Sequence, residues 1–425
     1  MSYLNKIEQL FNQTQKWDYY RCHYQHTLRE IFEHPESFIN ETFVSGHKHK
    51  LTDRNAQTPN ISDARAAHSV SAYFMGFIFA DGLFHKMLDN FCEIDGDEFS
   101  FSYVWYLTSL YHDYGYCFER DAELTNRLYE QITGKNKIYG NNYFNGVLYH
   151  LRKDREVSIR YSPWSGKKPY SIYQKQGRIG LCPKETIEEY ISKNHRNLVC
   201  NSQYICMPMR SSRVVDNYLK YRLIGNGDHR RIDHGICGGM IFYDRIIKNY
   251  INEYEHEKRR NPNLEIHEFY QNNHIRNLRF KLSQLVIFMY VADCIINHNI
   301  WKANDKTEEI YKQYKLRSLI GDKFEKISFY KNPLLFVLVM SDTLEPYKNF
   351  YSACHHGDNI DCVNYNVSDV FAAYEKYDIV FENNGINIYV SDDLQEVCES
   401  KLKEMTDWID IKYTRKNDSF VIEIY

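Results

Sequence analysis

The chain has 425 residues, with 53 Lys and Arg against 56 Asp and Glu and a formal net charge of −3. That length holds two or three domains around a substantial core, and a hydrophobic content of 43% excludes a disordered chain. The near-neutral balance excludes a global basic field for sequence-independent binding of long nucleic acid. Eleven cysteines without a CxxC pair predict a reduced, cytoplasmic protein. Met1 to Glu8 lacks the apolar core of a signal peptide, and no apolar run reaches the length of a membrane span, so no membrane association is expected. The 37 tyrosines, with abundant Asn, Ile and Lys, carry the mark of an AT-rich genome.

Residues 1–60 read as a helical lead-in, with Leu4, Ile7, Leu10 and Phe11 at helical spacing. A polar loop follows at Ser45 to Asp53. Asp63 to Phe77 reads as a buried helix with His68 among small residues. Leu107 to Gly115 is an apolar helix that ends in His112-Asp113 and a glycine. The long gap before His234 is expected to be a substrate-capping insertion, about 134–225, because long loops inside compact domains are usually functional. Within it Glu156 to Ser162 alternates like a strand, Ser165 to Tyr170 is a basic turn, and Pro183 opens a helix.

Two glycines, Gly225 and Gly227, and two arginines, Arg230 and Arg231, lead into His234. Guanidinium groups match phosphate oxygens bidentately, in competition with ion pairs to Asp228, Asp233 or Asp244. Leu285 to Trp301 places His298 near the end of a hydrophobic helix. Leu334 to Leu344 places Asp342 after seven consecutive apolar residues. A carboxylate buried there must be paired, cap a helix or coordinate a cation.

From residue 366 the pattern changes. Strands at Asp378 to Phe381 and Ile386 to Val390 flank Asn383-Asn384-Gly385, a hairpin signal. A helix from Asp392 to about Trp408 and strands Ile409 to Thr414 and Ser419 to Tyr425 complete a ββαββ order. This 366–425 appendage is expected to serve interaction with a protein partner or self-association.

The succession His68, His112-Asp113, His234, His298, Asp342 resembles the HD superfamily of metal-dependent phosphohydrolases, over about 280 residues. The resemblance implies a mainly α fold. Its core is an HD-type helical bundle over 61–365, with the mixed insertion and the small C-terminal α+β appendage added to it. It also implies that His68, His112, Asp113 and Asp342 are metal ligands, with His234 and His298 the further histidines of two-metal members. The sequence departs from the family where Tyr116 rather than Lys follows Gly115, and where Asn299 rather than a second histidine follows His298.

Imidazole and carboxylate together suit manganese, iron, cobalt, nickel or zinc, and magnesium with water in open positions. Asp113 can bridge two ions about 3.5–4 Å apart that activate water for in-line attack at phosphorus. With one ion, His234 and His298 become the candidates for general acid. The function implied is hydrolysis of a small nucleotide, first of all a (deoxy)nucleoside triphosphate. Phosphodiester cleavage of a cyclic nucleotide or oligonucleotide is the alternative, and a non-catalytic nucleotide sensor is the reading from another class. Prokaryotic antiviral defence uses HD proteins of both enzymatic kinds, and the composition is compatible with such a source.

Overall fold

A computed structural model describes residues 2–12, 27–39, 62–84, 91–94, 97–119, 125–126, 198–200, 205–206, 221–225, 231, 233–235, 238–239, 242, 259–263, 282–299, 308–314, 326–329, 333–354, 360, 364–382 and 385–425. Among these the architecture is mainly helical, with two small antiparallel sheets. The polar loop 45–53, the strand-like stretch 156–162, the turn 165–170, the helix from Pro183, the glycine loop 226–230 and Asn383-Asn384 lie outside the described residues.

Helix α1 (Tyr3–Asn12) buries Tyr3, Ile7 and Leu10, the face that the helical spacing predicts. Helix α2 (Leu28–Glu33) starts with a capping box: Thr27 accepts from the Glu30 amide while Glu30 accepts from the Thr27 amide. Helix α3 (Asp63–Phe84) is the central element. Its residues from Ala64 to Ala80 are buried on every side, which a helix surrounded by other helices requires.

Strands β1 (Cys92–Ile94) and β2 (Asp97–Phe99) lead into helix α4 (Phe101–Ser109), capped where Ser100 Oγ accepts from the Tyr103 amide. A turn carries the chain into the short helix α5 (Tyr116–Glu119). Strands β3 (Leu198–Cys200) and β4 (Ile205–Cys206) join β1 and β2 in the order β2-β1-β3-β4, with Cys92 opposite both Phe99 and Cys200. A π-helical turn (Tyr221–Gly225) precedes helices α6 (Leu282–Asn297) and α7 (Glu308–Tyr314). Helices α8 (Pro333–Leu344) and α9 (Pro346–Cys354) each begin with proline, which needs no amide hydrogen-bond acceptor there. Helix α3 packs against α4, α8 and α9, and α6 lies against α4 and α8.

After helix α10 (Val367–Glu375) come β5 (Tyr377–Glu382), β6 (Gly385–Val390), helix α11 (Asp392–Met405), β7 (Ile411–Arg415) and β8 (Ser419–Ile424). The sheet order is β5-β6-β8-β7, with Ile388 between Ile379 and Phe420 on one buried row. Strand β7 begins two residues later than its apolar pattern suggests. The reason is tertiary: the Ile327 amide donates to the Trp408 carbonyl at 2.8 Å, and the Asp410 amide donates to the Ile327 carbonyl at 2.8 Å. Those peptides are therefore committed to a parallel bridge, Ile327 to Ile409, outside the sheet.

This C-terminal segment shares one continuous core with the helices. The Tyr3 ring meets Tyr374 and Tyr377 edge-on at 5.2 and 6.1 Å, and such pairs add about 0.5–1.5 kcal/mol beyond buried area. Gly82 lets α3 approach β5, since a Cβ there would fall 2.3 Å from the Phe381 ring. No described helix is long and apolar enough to cross a membrane.

Candidate metal centre

Helices α3, α4, α6 and α8 deliver the candidate ligands from four directions. His68 sits in mid-helix on α3, and Asp342 lies near the end of α8. His112 and Asp113 occupy the turn after α4, and His298 the turn after α6. His234 begins a short helical stretch held against the His112–Gly115 turn. That approach needs glycine, because a Cβ on Gly115 would lie 1.8 Å from the His234 carbonyl oxygen.

The six side chains converge. His68 Nε2 lies 3.0 Å from Asp342 Oδ1 and 3.5 Å from Asp113 Oδ2. His112 Nε2 is 3.3 Å from Asp113 Oδ1 and 3.6 Å from Asp342 Oδ1. His234 Nε2 is 3.8 Å from Asp113 Oδ1. The His298 ring centre stands 5.3 Å from that of His112 and 5.2 Å from that of His234.

Every Nδ1 is held from behind, and the four histidines divide into two kinds. His112 and His298 use the carbonyls of Ser109 and Ile295, each three residues upstream. At a helix C-terminus those oxygens have no partner of their own within the helix. His68 and His234 use carboxylates from elsewhere in the chain: Glu345 Oε1 at 2.8 Å and Glu119 Oε2 at 2.8 Å. Neither His112 Nε2 nor His298 Nε2 has a hydrogen-bond partner, although both atoms are fully buried.

Two cations steady the acids. Arg65 Nη1 donates to Asp113 Oδ2 at 3.0 Å, and its guanidinium lies 3.4 Å from the centre of the Tyr116 ring. Tyr116 in turn stacks on His234 at 3.8 Å and 14°. Lys348 Nζ donates to Asp342 Oδ1 at 2.9 Å. Burial presses the Asp113 carboxyl upward, but the charges of His112, Arg65, His68 and His234 hold it far below the usual carboxylate range. Asp342 is held low in the same way against burial, by Lys348, His112 and His68.

Burial and the Lys348 charge press the His68 pKa down; hydrogen bonds to Asp342 and Glu345 carry it above the ordinary imidazole value. Burial likewise opposes the rise at His234, where Glu119, Asp233 and Asp113 prevail. His298 goes the other way, to about 4, through burial and the neighbouring His234 and His112.

Asp342 is less enclosed than its apolar run suggests. Its side chain is 18% exposed against 4% for Asp113, and Lys348 beside it is 32% exposed, so the centre opens to solvent on this side. Arg231 is exposed, and Glu119 Oε1 lies 3.9 Å from its Nη1; Asp228 and Asp244 lie outside the described residues. Arg222 from the π-helical turn reaches the same Glu119 oxygen at 3.4 Å. Arg230 lies outside the described residues. Asn299 donates to Asp233 at 2.9 Å.

Sequence reasoning missed Arg65, Tyr116, Glu119, Glu345 and Lys348. Arg65 and Glu345 were within reach of it, since each lies three residues from a candidate ligand, where helical geometry puts both on one side.

The arrangement fits a divalent ion. His68, His112 and Asp342 form one cluster, and His112, Asp113 and His298 a second, with the donor atoms of each within 4.8 Å of one another. Neighbouring donors 3.0–3.8 Å apart suit an ion about 2.1 Å from each. Both clusters include His112. Its Nδ1 is committed to Ser109, so that imidazole serves one ion at a time.

No protein-family model matches the chain, and neither a curated protein nor a solved structure matches it.

Proposed function

We propose that the protein is a metal-dependent phosphohydrolase of the HD type that removes phosphate groups from a small nucleotide, a (deoxy)nucleoside triphosphate first of all. The observation that carries this reading is the buried His112 Nε2, which makes no hydrogen bond and faces Asp113 and Asp342 at 3.3 and 3.6 Å. A buried nitrogen lone pair without a donor is costly unless something electrophilic meets it. The enclosure of the ligand set also favours a small substrate over a polymer, as does the near-zero net charge.

His68, His112, Asp113 and Asp342 would hold the ion, which would supply Lewis acidity and a water made nucleophilic near neutral pH. The shared use of His112 favours one ion over two. His234 is then free of ligation and serves as general acid toward the leaving oxygen. Glu119 behind its Nδ1 fixes the ring, and Tyr116 on its face keeps it aimed at Asp113. Phosphate enters past Asp342 and Lys348, where Lys348 presents positive charge.

A screen of nucleoside triphosphates and cyclic dinucleotides with manganese or cobalt tests the reading, with products separated by chromatography. Release of triphosphate, pyrophosphate or phosphate is expected, with Asp113→Ala silent. Nucleotide binding with no product under any metal would assign the chain to a sensor instead.

A further inference from the structure

We propose that Glu345 is the positioning residue for the metal ligand His68, an inference that rests on the metal reading above. Glu345 is completely buried in the linker between α8 and α9, three residues after Asp342. Its carboxylate accepts three hydrogen bonds. Oε1 takes the Lys348 amide at 2.6 Å and stands 2.8 Å from His68 Nδ1, while Oε2 takes the Tyr347 amide at 2.8 Å. The two amides are the second and third of helix α9, so Glu345 is the N-cap of that helix and the backing of His68 at once.

The double engagement follows from where His68 sits. In mid-helix its own backbone offers no spare carbonyl, unlike the helix ends that serve His112 and His298. An acid from another element must therefore take Nδ1–H. With Nδ1 protonated and bound, Nε2 keeps its lone pair for the ion, and the anion behind the ring makes that nitrogen a stronger donor. The amides of α9 hold the carboxylate still, so His68 has a fixed direction before any ion arrives. Asp342 and Glu345 lie on one continuous stretch of chain. Helix α8 thus brings both a ligand and the support of the ligand opposite it.

Glu345→Asp separates the two jobs. Aspartate caps helices well, but its shorter side chain withdraws from His68. The full-length protein is stripped of metal, and Mn2+ and Co2+ affinities are measured by calorimetry alongside the metal-free melting temperature and the visible spectrum of bound Co2+. The expected result is a metal-free protein that still melts cooperatively, Mn2+ affinity weaker by about 10–100-fold, and a shifted Co2+ spectrum. An affinity and spectrum equal to the wild type's would overturn the role of Glu345 alone. Wild-type protein that binds neither ion would overturn the metal reading itself. Should Glu345→Asp fail to fold, nitrogen spectra of labelled histidine in the wild-type Zn2+ form decide the question. Protonated Nδ1 on His68 is expected, and the opposite tautomer overturns the proposal.

Discussion

Helices α8 and α11 touch each other in the core yet are opposites as sequences. From Leu334 to Met340 every α8 residue is buried, so no face is left for a charge. Helix α11 buries Leu394, Cys398, Leu402 and Met405 along one stripe and turns Asp392, Asp393, Glu396 and Lys403 outward. The difference decides what a polar residue means. On α11 a carboxylate is the ordinary solvated side of an amphipathic helix. On α8 Asp342 ends a wholly buried run and is only 18% exposed, so it must answer to partners, which it finds in Lys348 and His68.

If that contrast is right, the two helices should fail in different ways. The largest effect belongs to the centre: Asp113→Ala should lose stoichiometric manganese on gel filtration and all turnover, read by metal analysis and product chromatography. Retained metal would break the distinction. On the other side, Leu402→Ala empties a completely buried site and should cost about 2–5 kcal/mol in urea denaturation. Metal stoichiometry of its folded fraction should stay unchanged.

A smaller effect sharpens the electrostatics. A raised imidazole pKa keeps the proton bound up to a higher pH, so an incoming ion must expel it. His68 is raised, and Mn2+ loading near pH 7 should therefore release protons, with affinity falling as the pH is lowered. His298, at about 4, should contribute none above pH 6. Calorimetry in buffers of different ionisation enthalpy measures the count, and an enthalpy independent of buffer would refute this. The smallest effect is at the surface: Arg415→Ala loses an exposed pair with Glu399 and should cost no more than about 1 kcal/mol, less in high salt.

What the sequence revealed follows the same division. His112-Asp113 and Asp342 stood out because apolar runs led into them. The paired strands of the C-terminal segment stood out because two apolar runs flank the turn residues Asn383-Asn384-Gly385. Glu119 and Glu345 did not stand out. The meaning of each comes from an imidazole 115 or 277 positions away, although Glu345 also lies three residues from Asp342. The start of β7 was hidden for a similar reason, since Ile327 claims the peptides around Ile409 from a distant part of the chain. Asp342, read from its run as wholly enclosed, proved to stand at the opening because α8 ends there and Lys348 turns back over it.

The contact between His68 and Asp342 spans 274 positions. An ion shared by those two side chains would staple distant stretches of polypeptide together, and removing it would restore the freedom of a very large loop. Chelation should therefore soften the whole body of the protein as well as silence it. An ion at a hundred times its dissociation constant would contribute about 2.7 kcal/mol to the folded state. Thermal endurance and metal supply would then rise and fall together.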